Sequence, residues 1–165
     1  MTDEKPDKRP GQPVENEFHM KIAADGRWFH EGGEIKRLSL VRLFASVLSC
    51  DETGQHWLRT PAEFGRIDVE DAAFIITEMT VSSEAGRQII QMQDNLERTY
   101  QVGADYELYL KADEGGMMRP YLSLDKGVSA RLSHPVYYQL AECAETEPDQ
   151  GRLGVYSQGI FFSLE

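Results

Sequence analysis

The densest set of chemically useful side chains lies between residues 59 and 71, where arginines and carboxylates are interspersed along a short stretch. Arginine guanidiniums bind phosphate or carboxylate groups through paired hydrogen bonds, while neighbouring carboxylates accept hydrogen bonds from hydroxyl or amino groups. A site for a small anion is one interpretation, and a structural ladder of salt bridges between strands is the other. The set comprises Arg59, Glu63, Arg66, Asp68, Glu70 and Asp71.

Asp71 holds an unusual position in this stretch. In a strand over residues 66–71 it would share the apolar face with Ile67 and Val69, because alternate side chains of a strand point the same way. An unpaired carboxylate on such a face is costly. We therefore expect Asp71 to lie at the end of the strand, or to be bonded to an arginine or to backbone amides.

Two tryptophans, Trp28 and Trp57, flank the first predicted helix, and each is expected either in the core or as an aromatic platform for a ligand. Arg37 and Arg131 each just precede a predicted helix start, where backbone amides together with an arginine can hold an anion. Solvated surface arginines are the alternative interpretation for this second pair.

Motifs of the common enzyme classes are missing from the sequence. It contains no glycine-rich phosphate loop, no nucleophile elbow and no zinc-protease motif. Cys50 and Cys143 are far apart and are predicted near helix C-termini, where the helix dipole disfavours a thiolate. Buried free thiols and a redox-sensing pair are the two interpretations. The histidines have no metal-ligand spacing, so we expect no metal and no cofactor; they are His19, His30, His56 and His134.

The charge balance restricts the partners. The 165 residues include 17 basic and 28 acidic side chains, a formal net charge of −11. Long nucleic acids and anionic membranes attract cationic proteins, so both are excluded as expected partners. A local group of arginines still permits a small phosphate ligand. Residues 1–15 are predicted to be a disordered tail. Because no signal peptide or membrane span is visible in the sequence, we expect a cytoplasmic location.

Hydrophobic periodicity predicts strands with two amphipathic helices among them. The first helix begins after Ser39 as N-cap and has an apolar stripe of Leu40, Leu43, Phe44, Val47 and Leu48. The second follows Ser133, and its stripe is Val136, Tyr137, Leu140, Ala141 and Ala144. Hairpins are predicted over 18–30, 57–71 and 153–162, and an antiparallel meander over 74–124.

The sequence contains one short repeat. Arg37-Leu38-Ser39 recurs as Arg131-Leu132-Ser133, and each copy precedes an amphipathic helix and a hairpin. The matching order of predicted elements indicates an internal duplication.

Several segments resemble the uncharacterised proteobacterial family known as domain of unknown function 1285. The resemblance covers about residues 18–145 and is most specific in Thr60-Pro61-Ala62-Glu63 and in Val69-Glu70-Asp71-Ala72-Ala73-Phe74. It extends to Arg119-Pro120-Tyr121 and to the stretch from Pro135 to Glu142.

The resemblance implies an α+β protein of two small domains with a duplicated core. Each domain would have antiparallel sheet and one packed helix, and the C-terminal half would be similar to pleckstrin-homology folds. The corresponding boundaries are a tail over 1–15, an N-terminal domain over 16–72 and a C-terminal domain over 73–165. The resemblance also implies a nucleotide-like ligand at the domain interface and a role in signal transduction, with oxidative stress as one setting; it implies no enzymatic activity.

Three functional hypotheses follow. The leading one is a non-enzymatic protein that binds a small anionic ligand in a cleft between the halves. A second is an adaptor that binds a peptide or a signalling partner through its C-terminal sheet. A third is a hydrolase that uses Glu63 and Asp71 as acid and base. The predicted cleft is lined by Trp28, Arg59, Glu63, Arg66 and Asp71.

Overall fold

The computed structural model describes residues 12–165, so the first eleven residues of the predicted tail lie outside the described part. The last residues of that predicted tail, Val14–Glu15, form a short strand, β1, which corrects the tail boundary. The other elements of the first half are β2 (Met20–Ile22), β3 (Trp28–His30), β4 (Gly33–Glu34), α1 (Leu38–Ser46), β5 (Leu48–Cys50), β6 (His56–Arg59) and β7 (Glu63–Val69).

The first half forms a seven-stranded mixed sheet in the order β4-β3-β2-β7-β6-β5, with β1 also paired to β7. Both β1 and β2 run parallel to β7. The sequence predicted antiparallel sheet, which holds for β2-β3-β4 and for β5-β6-β7 but not for the pairings of β7 with β1 and β2. The β6–β7 hairpin turns the chain so that β7 enters the sheet beside β2 in the same direction, a pairing that local periodicity does not encode.

The second half contains two sheets. A six-stranded sheet has the order β10-β9-β8-β13-β12-β11, and a three-stranded sheet has the order β14-β15-β16. The predicted meander holds for β8, β9 and β10, after which the chain crosses to the far edge and returns so that β13 pairs parallel with β8. The elements are β8 (Phe74–Glu84), β9 (Arg87–Asp94), β10 (Thr99–Gln101), β11 (Leu108–Ala112), β12 (Met118–Ser123), a 3₁₀ turn (Asp125–Gly127), β13 (Ser129–Leu132), α2 (His134–Glu142), β14 (Glu145–Thr146), β15 (Leu153–Ser157) and β16 (Ile160–Ser163).

The sequence pattern predicted the start and the buried face of α2 better than those of α1. Helix α2 begins after Ser133, as predicted, and buries Val136 and Leu140. Helix α1 begins after Arg37 rather than Ser39, and it buries Val41 and Ala45 instead of the predicted stripe. Helix α1 ends at Ser46, so Leu48 belongs to β5 and was counted wrongly in the helical stripe; the remaining apolar residues lie on more than one side of α1, and the packing decides which of them are buried.

Buried apolar side chains from both halves form one continuous cluster. Trp28 is 1% exposed and stacks on Phe44 of α1, with ring centroids 6.3 Å apart. The chain is therefore an α+β protein of two sheet-rich halves that share a core. Fully buried members of the cluster are Ile22, Phe74, Ile76, Ile90, Met92, Leu122, Val136 and Leu140.

The repeated tripeptide precedes similar element orders. In both halves it is followed by a helix and three antiparallel strands, β5-β6-β7 in the first and β14-β15-β16 in the second. The copies occupy different positions, since Ser39 lies inside α1 whereas Ser133 is the N-cap of α2.

Candidate functional site

A cavity of about 200 Å³ lies where the two halves meet. One wall comes from the end of α1 and the start of β5, and the other comes from β8, the β9–β10 hairpin and the 3₁₀ turn. Its polar lining residues all belong to the second half except Ser46. The cavity is lined by Ala45, Ser46, Leu48, Phe74, Arg98, Tyr100, Leu124, Asp125, Lys126 and Val128.

A buried carboxylate organises the cationic side of this cavity. Asp94 is 0% exposed, and its Oδ2 accepts hydrogen bonds from Arg98 Nε at 2.8 Å and from Tyr100 Oη at 2.9 Å. Its Oδ1 accepts from the backbone amides of Leu96 and Arg98. Because four donors converge on one carboxylate, Arg98 and Tyr100 are held in fixed orientations.

The Arg98 guanidinium is only partly satisfied. Its carbon lies 4.1 Å from the centroid of the Phe74 ring, and Nη2 is buried without a hydrogen-bond partner among the described residues. A buried donor without an acceptor costs free energy. The oxygen of a carboxylate or phosphate is the acceptor that a guanidinium binds best, so this arginine suits an anion.

Tyr100 is a persistent donor beside Arg98. Burial and, after it, the negative charge of Asp94 raise the pKa of Tyr100 well above its usual value. Its hydroxyl therefore stays protonated at physiological pH and keeps its bond to Asp94. Tyr100 also packs edge-on against Tyr106 at 5.0 Å, and the Tyr106 hydroxyl donates to Asp125 Oδ2 at 3.1 Å.

Lys126 brings a second cation to the cavity from the 3₁₀ turn. Its backbone has a φ of 57°, and its Nζ donates to the carbonyl of Ser46 at the end of α1, 2.8 Å away. This bond crosses from one half to the other. Lys126 thus both lines the cavity and ties its two walls together.

Two of the predicted site residues, Trp28 and Asp71, lie away from this cavity. Trp28 is buried under α1 and presents no face to a ligand. Asp71 lies just beyond β7, where it accepts a hydrogen bond from Tyr121 Oη at 2.7 Å and pairs with Arg131 Nε at 3.1 Å. The sequence predicted either a strand end or a bonded partner for Asp71, and the structure shows both, since Asp71 follows β7 and pairs with an arginine.

The other three predicted residues are on β6 and β7. Arg59 and Arg66 lie exposed on the outer face of the first sheet, each stacked over Trp57, and Glu63 accepts a hydrogen bond from Asn16. The structure therefore does not bring the five predicted residues into one cleft. Glu63 begins β7 and Asp71 lies beyond its other end, and β7 alone is about 20 Å long at the rise of a strand, so the two carboxylates are too far apart to act together on one bond.

The residues of the interface cavity were missed by sequence reasoning, although one signal was available. Asp94 occupies the inward face of β9 in line with Ile90 and Met92, where an apolar residue is expected. A carboxylate at an inward position, followed by Arg98 and Tyr100, is typical of a buried polar network.

The cysteines have the properties of partly buried thiols. Cys50 lies on β5 and not at a helix end, which corrects the sequence prediction, while Cys143 is the C-cap of α2. Burial, and then a neighbouring carboxylate, raises the pKa of both thiols. Within residues 12–165, no group of three or more His, Cys, Asp or Glu side chains is arranged to hold a metal ion. Over the same residues, every helix is too short or too polar to span a membrane.

The molecule is thus a two-part α+β protein whose halves meet at a small polar cavity. The chain belongs to the DUF1285 family, which confirms the resemblance found in the sequence. The model described as "Domain of unknown function (DUF1285), N-terminal domain" matches residues 9–72. The model described as "Protein of unknown function (DUF1285), C-terminal domain" matches residues 73–164.

Two solved structures are similar to the chain. A DUF1285 family protein from Silicibacter pomeroyi DSS-3 is 30% identical, with a TM-score of 0.84 over 94% of this chain and 86% of that one. One from Shewanella baltica OS155 is 23% identical, with a TM-score of 0.59 over 74% of this chain and 90% of that one, and it supports the fold alone. No curated protein matches the chain.

Proposed function

We propose that this chain is a cytoplasmic, non-enzymatic protein of signal transduction that binds a small anionic, nucleotide-like ligand between its two halves. One observation carries the proposal. Arg98, whose buried Nη2 has no acceptor among the described residues, lines the cavity together with a second cation, Lys126, and with Asp125. An anionic oxygen would supply the missing acceptor and gain from both charges.

The volume of the cavity limits what it can enclose. At about 200 Å³ it is smaller than the sites that surround a whole drug-sized molecule, which begin at about 300 Å³. A phosphate group with part of its attached sugar is of a suitable size. The remainder of a nucleotide would extend out through the mouth of the cavity.

The position of the cavity suggests how binding is transmitted. Ser46 and Leu48 belong to one half, whereas Arg98 and Lys126 belong to the other. A ligand that contacts both walls stabilises the arrangement in which the halves meet. A partner protein that binds the molecule only when the two halves are held together in this way would then bind more tightly in the presence of the ligand.

Thermal-shift and calorimetric titration with inorganic phosphate and with mono-, di- and cyclic nucleotides test the proposal. We expect a saturable rise in melting temperature with at least one of these compounds. Lys126→Met should weaken binding about tenfold or more, and Arg98→Lys, which keeps the charge but loses the planar fork, should weaken it similarly. Lys36→Met is the matched control, because Lys36 is exposed and lies outside the cavity.

Two results would overturn the proposal. One is a flat melting temperature with every compound at millimolar concentration. The other is binding that both cavity variants leave unchanged, which would place the ligand elsewhere.

A second candidate function, the protein-interaction adaptor, is favoured by an apolar groove of about 220 Å³ at the start of α2. Three large apolar side chains are exposed there: Met117 at 67%, Met118 at 49% and Tyr138 at 68%. The lining has no carboxylate among its residues, and its basic side chains are His134 and two arginines, Arg119 and Arg131, which pair with aspartates outside the groove. The occupant that we propose is a peptide with one apolar anchor side chain and acidic flanking residues.

A fluorescence-polarisation assay with acidic peptides that carry a central Leu or Phe tests the adaptor proposal. Tyr138→Ser should weaken binding about tenfold, because it removes an apolar wall of the groove. Val81→Ser is the control, since Val81 is also exposed but lies outside the groove. Equal binding by both variants would overturn the proposal.

Two finer features of the fold are also proposals. The matching order of a helix followed by three antiparallel strands supports an internal duplication of the two halves. The likeness of the C-terminal half to pleckstrin-homology folds rests on the family resemblance. A superposition of residues 16–72 on residues 73–165 would test the duplication.

A further inference from the structure

We infer that Trp57, Arg59, Phe64 and Arg66 form a second anion-binding surface, which takes a phosphate monoester and is separate from the interface cavity. We call these four residues the stacked arginine surface. It lies on the outer face of the first sheet and shares no residue with the interface cavity. The inference stands independently of the function proposed above.

Strand register places the four side chains on one face. Trp57 of β6 is directly opposite Arg66 of β7, and Arg59 is opposite Phe64. The Arg59 guanidinium carbon is 5.1 Å from the Trp57 ring centroid and 5.2 Å from that of Phe64. The Arg66 carbon is 5.2 Å from the same indole. Both guanidiniums therefore share one aromatic support.

The aromatic support is itself fixed. The Trp57 indole N–H donates to Asp51 Oδ2 at 2.9 Å. Asp51 Oδ1 in turn accepts from the amide and hydroxyl of Thr53 and from the amide of Gln55. The hydrogen bonds from Thr53 and Trp57 hold the pKa of Asp51 far below its usual value, so the carboxylate stays ionised and the indole stays anchored.

The charge of the two arginines is not neutralised by a partner. Among residues 12–165 neither Arg59 nor Arg66 forms an ion pair, whereas six of the other eight arginines do. Asp68 shares this face two positions beyond Arg66, but its strand neighbour is Lys21. Glu63 faces the other side of the sheet and bonds to Asn16. Two adjacent cations thus stand out on an acidic protein.

Stacking explains why the ligand should be a phosphate monoester. A guanidinium that lies over a ring keeps its N–H edges directed to solvent, where they can bind oxygens in pairs. The aromatic contact also restricts rotation of the arginine, so less entropy is lost when an anion binds. Arg59 and Arg66 occupy diagonal positions on this face, and two such forks offer more donors and more charge than a single carboxylate needs, which suits the three oxygens and the double charge of a phosphate monoester.

Space for the group that carries the phosphate lies beside Arg66. This side chain also lines an open groove of about 740 Å³ between β7 and the segment from Glu15 to Lys21. His19 and Lys21 lie in the same groove, and so do four carboxylates, those of Glu15, Glu17, Glu31 and Asp68. A phosphate held by the stacked arginine surface would therefore leave its organic part in an accessible channel.

The two tryptophans provide a site-specific test by NMR. The chain has only Trp28 and Trp57, so a ¹⁵N-labelled sample has two indole N–H signals, which Trp57→Phe assigns. Titration with glycerol 2-phosphate should shift the Trp57 signal in a saturable manner. The Trp28 signal should not move, because Trp28 is buried under α1. A phosphoserine peptide serves as the second probe, and tighter binding of the peptide would identify a phosphorylated chain as the source of the group.

Variants separate this surface from general charge attraction. The double variant Arg59→Gln with Arg66→Gln should weaken binding about tenfold or more, and the double lysine variant should weaken it nearly as much. Arg87→Gln, which changes an exposed arginine outside the surface, should leave the titration of the Trp57 signal as it is in the unmodified protein. A Trp57 signal that does not move, or full binding by the double lysine variant, would overturn the inference.

Discussion

Asp71 and Arg131 form an ion pair between the two halves, in which Arg131 Nε lies 3.1 Å from Asp71 Oδ2. The Arg131 side chain is only 17% exposed, and that of Asp71 is 25% exposed. Tyr121 donates to the other carboxylate oxygen, and Arg131 Nη2 donates to the carbonyl of Ala24. Burial, followed by the hydrogen bond to Asp71, raises the pKa of Tyr121 to about 12. One carboxylate just past β7 thus connects β12, β13 and the β2–β3 turn.

Asp71→Asn should destabilise the protein by about 2 kcal/mol, since it leaves Arg131 partly buried without a counter-charge. Urea unfolding monitored by circular dichroism measures the change. Asp113→Asn is the matched control, because its partner Arg119 is more exposed and the pair is 3.0 Å apart on the surface. The control should lose less than about 1 kcal/mol. Equal losses would show that Asp71 has no special role between the halves.

Asp94→Asn should lower the free energy of unfolding more than Asp71→Asn does. The amide cannot accept all four hydrogen bonds of the buried carboxylate, and the Arg98 charge loses its partner. We expect a loss of about 3 kcal/mol or more in the free energy of unfolding. Tyr100→Phe, which removes a single bond from the same network, should cost about 1 kcal/mol. An Asp94 variant as stable as the Tyr100 variant would contradict this ranking.

Gly127 is required by a close approach between the halves. Its φ is +75°, and a Cβ atom there would overlap the carbonyl oxygen of Cys50. Gly127→Ala should cost about 3 kcal/mol, because backbone strain and overpacking add. Gly116 has a similar φ of +83° but open space around it. Gly116→Ala should therefore cost only about 1 kcal/mol, and the difference in thermal unfolding isolates the contact with Cys50.

The cysteines should react slowly with thiol reagents. Burial raises the pKa of Cys50 and of Cys143, so little thiolate is present at neutral pH. We expect each thiol to react with a disulfide reagent about tenfold more slowly than free cysteine. In denaturant both should react at the free rate. Fast reaction of either thiol in the folded protein would favour the redox-sensing interpretation and the setting of oxidative stress.

His56 should make stability depend on pH. Burial is the main cause that lowers its pKa in the folded protein, against about 6.5 in the unfolded chain. The unfolded state then binds more protons as the pH falls below neutrality, so stability is full above the unfolded pKa and is lost on acidification. The decline in melting temperature between about pH 7 and pH 5 should be smaller in His56→Gln. An identical slope in the variant would assign the dependence to other groups.

Much of the local structure could be predicted because it depends on neighbours in the chain. Strands β8, β9 and β10 form the expected meander, α2 begins after Ser133, and the closing hairpin of β15 and β16 follows its turn residues. The first helix was misplaced because its apolar residues lie on several sides of it. In such a helix the period does not decide which face is buried; the surface that it packs against does.

The candidate site shows where sequence reasoning stops. The sequence by itself determined the family, most of the strands and the presence of paired arginines near β7. Only the tertiary structure decided that Arg59 and Arg66 stand on an outer sheet face, whereas Arg98 and Lys126 meet at the interface between the halves. The reason is that the β8–β13 pairing and the packing of the halves join residues far apart in sequence, and no local period records such contacts.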